Sequence, residues 1–236
     1  MKLHRPADAR GHVRTDWLDS RHTFSFGHFH DPEWMGFGPL RVINEDRVAP
    51  GAGFPTHGHA NMEILSYVLE GALAHRDSHG GEGVLHPGAL QWMGAGHGIE
   101  HSEFNGSADA PVHFLQIWIQ PERVNLPPGH AQHAVADQDR RGRWATLASP
   151  DGRDGSLAIR QQATLQSAWL EAGERVEATL VAAQRYWLQV ARGVVRVDGA
   201  QLAAGDAIGW VDETATLVIE GAGETVADVL LFTLPR

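Results

Sequence analysis

Glycine and proline cut this chain too often for long helices. Its 236 residues hold 27 glycines and 12 prolines, and between the breaks lie short runs of β-branched and aromatic residues at 62–69, 112–119, 186–191, 194–197, 216–219 and 226–232. Strands of four to eight residues separated by glycine turns build antiparallel barrels and sandwiches, so the expected fold class is all-β. Helical periodicity is weak, and a short helix is expected only at 163–171 or around 131–140. An internal echo divides the chain. GAGFPTHGHANMEILSYVLEG starts at Gly51 and GERVEATLVAAQRYWLQVARG at Gly173, an offset of 122. Further on, LHPG before Trp92 is echoed by LAAG before Trp210 at an offset of about 117. Two β-barrel or jelly-roll domains in tandem are therefore expected, 1–133 and 134–236, joined through the Pro-, Gly- and Gln-rich stretch 121–155.

Composition removes several function classes. With 42% hydrophobic and 20% charged residues the chain can bury a sizeable core. Its 19 basic residues against 29 acidic ones give a net charge of -10 with no basic block, which argues against direct nucleic-acid binding. No apolar run approaches the length of a membrane span, and the opening MKLHRPADARGH lacks the apolar core of a secretory signal. Cysteine is absent, so thiolate metal sites and cysteine nucleophiles are excluded, and a cytoplasmic protein is expected.

The chemistry is concentrated in one half. All 15 histidines fall between His4 and His133. His57-Gly58-His59 is followed by Glu63, and side chains two apart on a strand share a face, so 57, 59 and 63 have the same parity. A second cluster, GAGHGIEHSE at 94–103, gives His101 and Glu103 a common parity. Set side by side, the two strands would bring together three neutral imidazoles and a carboxylate. That set suits iron(II), manganese, cobalt, nickel, copper or zinc, and without thiolates a structural zinc site is disfavoured.

These stretches resemble the paired signatures of the cupin superfamily in the form used by pirins, above all the bacterial pirin-like proteins that act as quercetin 2,3-dioxygenases. Supporting runs are HTFSFGHFHDPEWMGFGPLRVINEDRV at 22–48 and HRDSHGGEGVLHPG at 75–88. The resemblance is dense over about 10–120 and mainly one of spacing beyond, and it implies a bicupin. It also implies a metal held by His57, His59, His101 and Glu103. Many cupins instead use the glutamate following the HxH pair, here Glu63; the intact His-Ser-Glu triplet at 101–103 favours Glu103. Iron(II) is the first choice of metal. The implied activity is ring cleavage of a flavonol with dioxygen, releasing carbon monoxide and a depside, with Glu103 accepting the substrate's hydroxyl proton. The alternative is a metal-containing regulatory pirin acting through a protein partner.

The remaining candidates have plainer readings. At the repeat offsets, His57 and His59 fall on Thr179 and Val181, and His101 and Glu103 on Val218 and Glu220, so the second domain is expected to lack the site and to be structural or interface-forming. His75, His79, His86, His97 and His113 are expected mostly at the surface, with His97 nearest the second cluster. Met62, Tyr67, Trp92 and Met93 read as core, with the lining of an apolar pocket as the alternative, and Trp17, Phe24, Phe26, Trp34 and Phe37 as packing across a barrel, with a ring reaching a planar substrate as the alternative. Asn44-Glu45-Asp46 belongs to the resemblance without any assigned chemistry. The glycine run at 94–98 lacks the lysine of a phosphate loop, and Ser102 lacks a nucleophile elbow.

Overall fold

The computed structural model describes residues 1–236 and contains strands, three short 3-10 turns and no α-helix. In chain order the strands are β1 (Lys2–Arg5), β2 (Gly11–Arg14), β3 (Leu18–His22), β4 (Leu40–Val48), β5 (Gly53–His59), β6 (Glu63–Glu70), β7 (Leu73–Asp77), β8 (Glu82–Leu85), β9 (Ala89–Gly94), β10 (Ile99–Asn105), β11 (Val112–Ile119) and β12 (Gly129–Ala134). They continue as β13 (Ala145–Ser149), β14 (Leu157–Ala158), β15 (Thr164–Leu170), β16 (Arg175–Leu180), β17 (Gln184–Arg192), β18 (Val194–Val197), β19 (Ala200–Ala203), β20 (Ala207–Val211), β21 (Ala215–Gly221) and β22 (Ala227–Pro235).

Two compact units result, each a seven-stranded and a four-stranded sheet. The first comprises Gly11–Ala134 and Ile159–Gln161, the second Met1–Arg10, Val135–Ala158 and Gln162–Arg236. Sheet order in the first is β12-β9-β6-β11-β4-β3-β2 and β5-β10-β7-β8; in the second it is β1-β20-β17-β22-β15-β13-β14 and β16-β21-β18-β19. The shared order matches the internal echo. The division is not a single cut in the sequence. Met1–Arg10, which the sequence places in 1–133, belongs to the second unit because β1 pairs with β20, Lys2 opposite Trp210. Conversely, the Arg160 amide donates to the Glu63 carboxylate inside the first unit.

Both expected helices are absent. Residues 164–170 form β15, where Leu165, Ser167, Ala168 and Leu170 are buried against β22. The spacing of Leu165 and Ala168 imitates a helical turn, but every residue of that run pairs with β22, and tertiary pairing overrides local periodicity. Around 131–140, residues up to Ala134 pair with β9 as β12, and only Asp137–Asp139 makes a single 3-10 turn.

The second unit's core lies between its sheets. Val176 and Ala178 of β16 and Leu217 and Ile219 of β21 pack with Leu188, Val190, Trp210, Val229 and Leu231 of the larger sheet. In the first unit, Val48, Val68, Val112 and Phe114 meet Leu73 and Leu85 in the same way. A second cluster of Ile64, Met93, Ala95 and Ile99 packs beside the turn that feeds β10. Gly96 closes that turn with φ +50, and a Cβ there would sit 2.0 Å from the Leu126 carbonyl oxygen. Gly96→Ala is therefore expected to cost about 2 kcal/mol or more of unfolding free energy, read from denaturant melts.

Candidate metal centre and its cavity

β5 is an edge strand, so Pro55 removes no needed ladder bond there. Between the pairs His57–His101 and Phe54–Glu103, β5 takes three steps where β10 takes two, a bulge at Pro55-Thr56. This bulge leaves the Pro55 carbonyl accepting from His57 Nδ1–H at 2.8 Å. That bond fixes the tautomer and leaves the His57 Nε2 lone pair free. Along β10, Ile99, His101, Glu103 and Asn105 are buried while Glu100 and Phe104 are exposed, so His101 and Glu103 share the inner face.

The three imidazoles converge. His101 Nε2 lies 3.0 Å from His59 Nε2 and 3.1 Å from His57 Nε2. One proton on His101 cannot serve both contacts well, whereas three lone pairs aimed at one cation satisfy all three. Cis donors about 2.1 Å from a six-coordinate ion stand about 3.0 Å apart, and tetrahedral donors about 3.4 Å. The two short contacts match cis donors on a six-coordinate ion, and all three histidines offer ligand atoms within 4.8 Å of one another. Burial and the neighbouring imidazoles depress His59 to about 4 and His101 to about 3, so both are neutral, ligand-ready bases at pH 7.

Glu103 lies in the same cavity but outside the tight nitrogen cluster. Its carboxylate accepts from Ser66 Oγ at 2.9 Å and from Gln116 Nε2 at 2.7 Å. Burial outweighs those two bonds and raises it to about 7. Glu63 is held elsewhere: its carboxylate accepts from Trp92 Nε1 at 2.7 Å and from the Arg160 amide at 2.8 Å. The parity of 57, 59 and 63 does not carry through, because residues 60–62 turn between two sheets, and on β6 it is Ser66, not Glu63, that meets Glu103.

Asn44 and Asp46 line this cavity with Phe26, Phe54, Gln116 and Trp118, which the sequence did not assign to the site. The legible signal was the polar Asn-Glu-Asp triplet following Val42-Ile43 inside a strand. Alternation turns Asn44 and Asp46 inward, while Glu45 pairs with His113 Nε2 at 2.9 Å and Arg47 at 3.0 Å. Burial first, and then the charges of Glu103 and Glu45, raises Asp46 to about 7 against the opposing hydrogen bond from Ser20. Two imidazoles and two buried carboxyls line the cavity with no lysine or arginine among them, and His101 Nε2 lies 3.0 and 3.1 Å from those imidazoles, an arrangement that calls for a cation.

The cavity measures about 70 Å³. A shallow, open depression of about 420 Å³ along Gly58, Ala60, Ser78 and Gly98 shares His59 with it. A larger one of about 550 Å³, lined by Ala74, His75, Arg76, Glu82, Val84 and Phe104, contains none of the three histidines. His79, His86 and His97 are exposed, and His97 takes no part in the cluster. His75 and His113 are buried, His75 being stacked on His130 at 4.8 Å. Tyr67, Trp92 and Met93 are core residues, whereas Phe26 reaches the cavity and meets Trp118 edge to face at 5.3 Å.

In the second unit the echo slips by one residue. Thr179, Val181 and Val218 are exposed, and the inward positions are Ala178 and Leu180 of β16 with Leu217 and Ile219 of β21. Ala178 stands opposite Leu217 where the first unit sets His57 opposite His101. Hydrocarbon fills the place of the imidazoles.

Two tandem two-sheet barrels, one with three convergent histidines and one without, define a bicupin with a single candidate centre. Residues 4–119 match the family described as Pirin, and residues 146–234 match the quercetinase C-terminal cupin domain. The chain is 42% identical over 231 residues to the quercetin 2,3-dioxygenase of Escherichia coli strain K12, covering 98% of this chain and 97% of that one. A pirin-like protein of Caulobacter vibrioides is 39% identical over 91% of this chain and 92% of its own. The crystal structure of the bacterial pirin YhhW from Escherichia coli in complex with nickel(II) superposes with a TM-score of 0.92 at 42% identity, each chain fully covered. The protein belongs to the pirin family of the cupin superfamily.

Because the Glu103 carboxyl is protonated up to about pH 7 in the folded metal-free protein, the stability that this protonation contributes is present below its ordinary value near 4.5 and lost as pH rises through 7. Glu103→Gln does not titrate. Its stability relative to the parent, both stripped of metal, is expected to rise by up to about 3 kcal/mol between pH 5 and pH 8 in denaturant melts.

Proposed function

We propose that this protein is a metal-dependent dioxygenase that opens the heterocyclic ring of quercetin-like flavonols with dioxygen, releasing carbon monoxide and a depside. The observation that carries the reading is the convergence of three imidazole nitrogens beside the buried Glu103 carboxyl. In this reading His57, His59, His101 and Glu103 hold the metal, iron(II) being the first choice and nickel(II) the ion found in the Escherichia coli pirin. The bound metal would acidify the flavonol 3-hydroxyl and draw charge toward dioxygen.

The chain's own residues supply the rest. Glu103, beside the three imidazoles, is placed to take the 3-hydroxyl proton, and Ser66 and Gln116 keep its oxygens in place while it does so. His57, held by Pro55, keeps one orientation. Phe26, Phe54 and Trp118 present aromatic rings to a planar substrate and exclude water.

The size of the cavity favours a second reading. About 70 Å³ takes one edge of a fifteen-carbon flavonol, not the whole molecule, far below the roughly 300 Å³ and more of pockets that enclose such ligands. A metal-containing regulatory pirin that works through a protein partner needs no larger cavity.

Aerobic turnover separates the two. Iron-reconstituted protein is expected to consume quercetin with equimolar release of carbon monoxide, and His57→Ala to lose at least about 100-fold of both metal affinity and turnover. Tight stoichiometric metal binding without turnover for iron, manganese, nickel, cobalt and copper would establish the regulatory reading instead.

A further inference from the structure

β5 pairs on one side only, and His59 is its last residue, opposite Ile99 of β10. The end of an edge strand frays unless the chain beyond it is tied down. The tie is the turn 60–62, which lies outside the ladders. Asn61 N–H donates to the Gly96 carbonyl and Ala95 N–H to the Met62 carbonyl, each at 2.8 Å. Residues 95–98 lead into β10 and so carry His101. A third segment, 120–128 between β11 and β12, closes the arrangement. His97 N–H donates to the Leu126 carbonyl at 2.8 Å, Asn125 N–H to Asn61 Oδ1 at 2.7 Å, and Asn61 Nδ2 to Asn125 Oδ1 at 3.3 Å.

Asn61 and Asn125 both hold left-handed backbones, with φ +53 and +58. That conformation costs free energy for any residue but glycine, least for asparagine and aspartate, and it persists only where the surroundings impose it. Here two such residues face each other through a reciprocal amide contact, and one of them stands two positions after His59. Both belong to loops, so the clasp holds what the sheet ladders leave unheld. Resting on the reading that His57, His59 and His101 hold a metal, we propose that Asn61 and Asn125 are positioning residues of that centre. Their clasp locks 120–128 onto the two turns that carry His59 and His101, and so fixes the separation of the imidazoles. Neither belongs to the imidazole cluster; both act through the backbone of 60–62.

Metal exchange tests this without substrate. Release of Ni(II) into excess EDTA gives the dissociation rate, and the visible absorption bands of the Co(II)-loaded protein report ligand geometry. Asn61→Gly keeps the left-handed turn and its bond to Gly96 but loses the clasp. It is expected to release Ni(II) at least about tenfold faster than the parent and to shift the Co(II) bands. Asn61→Asp keeps the acceptor for Asn125 N–H and is expected to stay within about threefold of the parent. Leu217→Ala, in the core of the second unit, lowers stability without touching these turns and is expected to leave both readouts at the parent's values. Parental rate and bands in Asn61→Gly overturn the inference and leave the dioxygenase reading standing. So does an equal change in Leu217→Ala, or an Asn61→Asp as fast as Asn61→Gly. A folded parent that binds neither ion overturns both.

Discussion

The antiparallel register between β5 and β10 is the constraint on which the site depends. It sets His57 directly opposite His101 and His59 opposite Ile99, so three imidazoles from two strands meet without any long-range adjustment. Side chains alternate along a strand, and a slip of one residue would send all three to the other face. The bulge at Pro55-Thr56 absorbs the mismatch between the histidine pair and Glu103, and its exposed carbonyl holds the His57 ring.

Electrostatics follow from that placement. Burial drives two of the bases and both carboxyls toward neutrality: His59 and His101 are depressed, Glu103 and Asp46 are raised. A divalent cation held by the three histidines would reverse the balance for the carboxyls and would suit the neutral form of His59 and His101. The second unit shows the other solution to the same topology. With Ala178, Leu180, Leu217 and Ile219 inward it closes its barrel with hydrocarbon and carries no charge there.

Much of this was legible in the sequence, for identifiable reasons. Strand runs such as 112–119 and 194–197 coincide with β11 and β18, because β-branched runs between glycines have few alternatives. The grouping of His57, His59 and His101 could be read from parity and spacing. Less legible was whatever depended on partners distant in sequence. Glu63 shares the parity of His57, but the turn at 60–62 moves it to another sheet, where Trp92 and Arg160 take it. The 163–171 stretch imitates a helix until β22 pairs with it. Asn44 and Asp46 become site residues only when β4 pairs with β11 and sets them beside Gln116 and Trp118. The membership of Met1–Arg10 in the second unit likewise follows from pairing with β20, some 200 residues away.

One divalent metal is expected at the meeting point of the three Nε2 atoms, with Glu103 beside it. Anomalous diffraction from crystals grown with the metal reads this directly. The expected result is a single peak about 2.1 Å from Nε2 of His57, His59 and His101, with a Glu103 carboxylate oxygen turned to complete the set. A peak bound by Glu63, a second peak in the unit without histidines, or no density between the three rings at full metal occupancy in solution would contradict it.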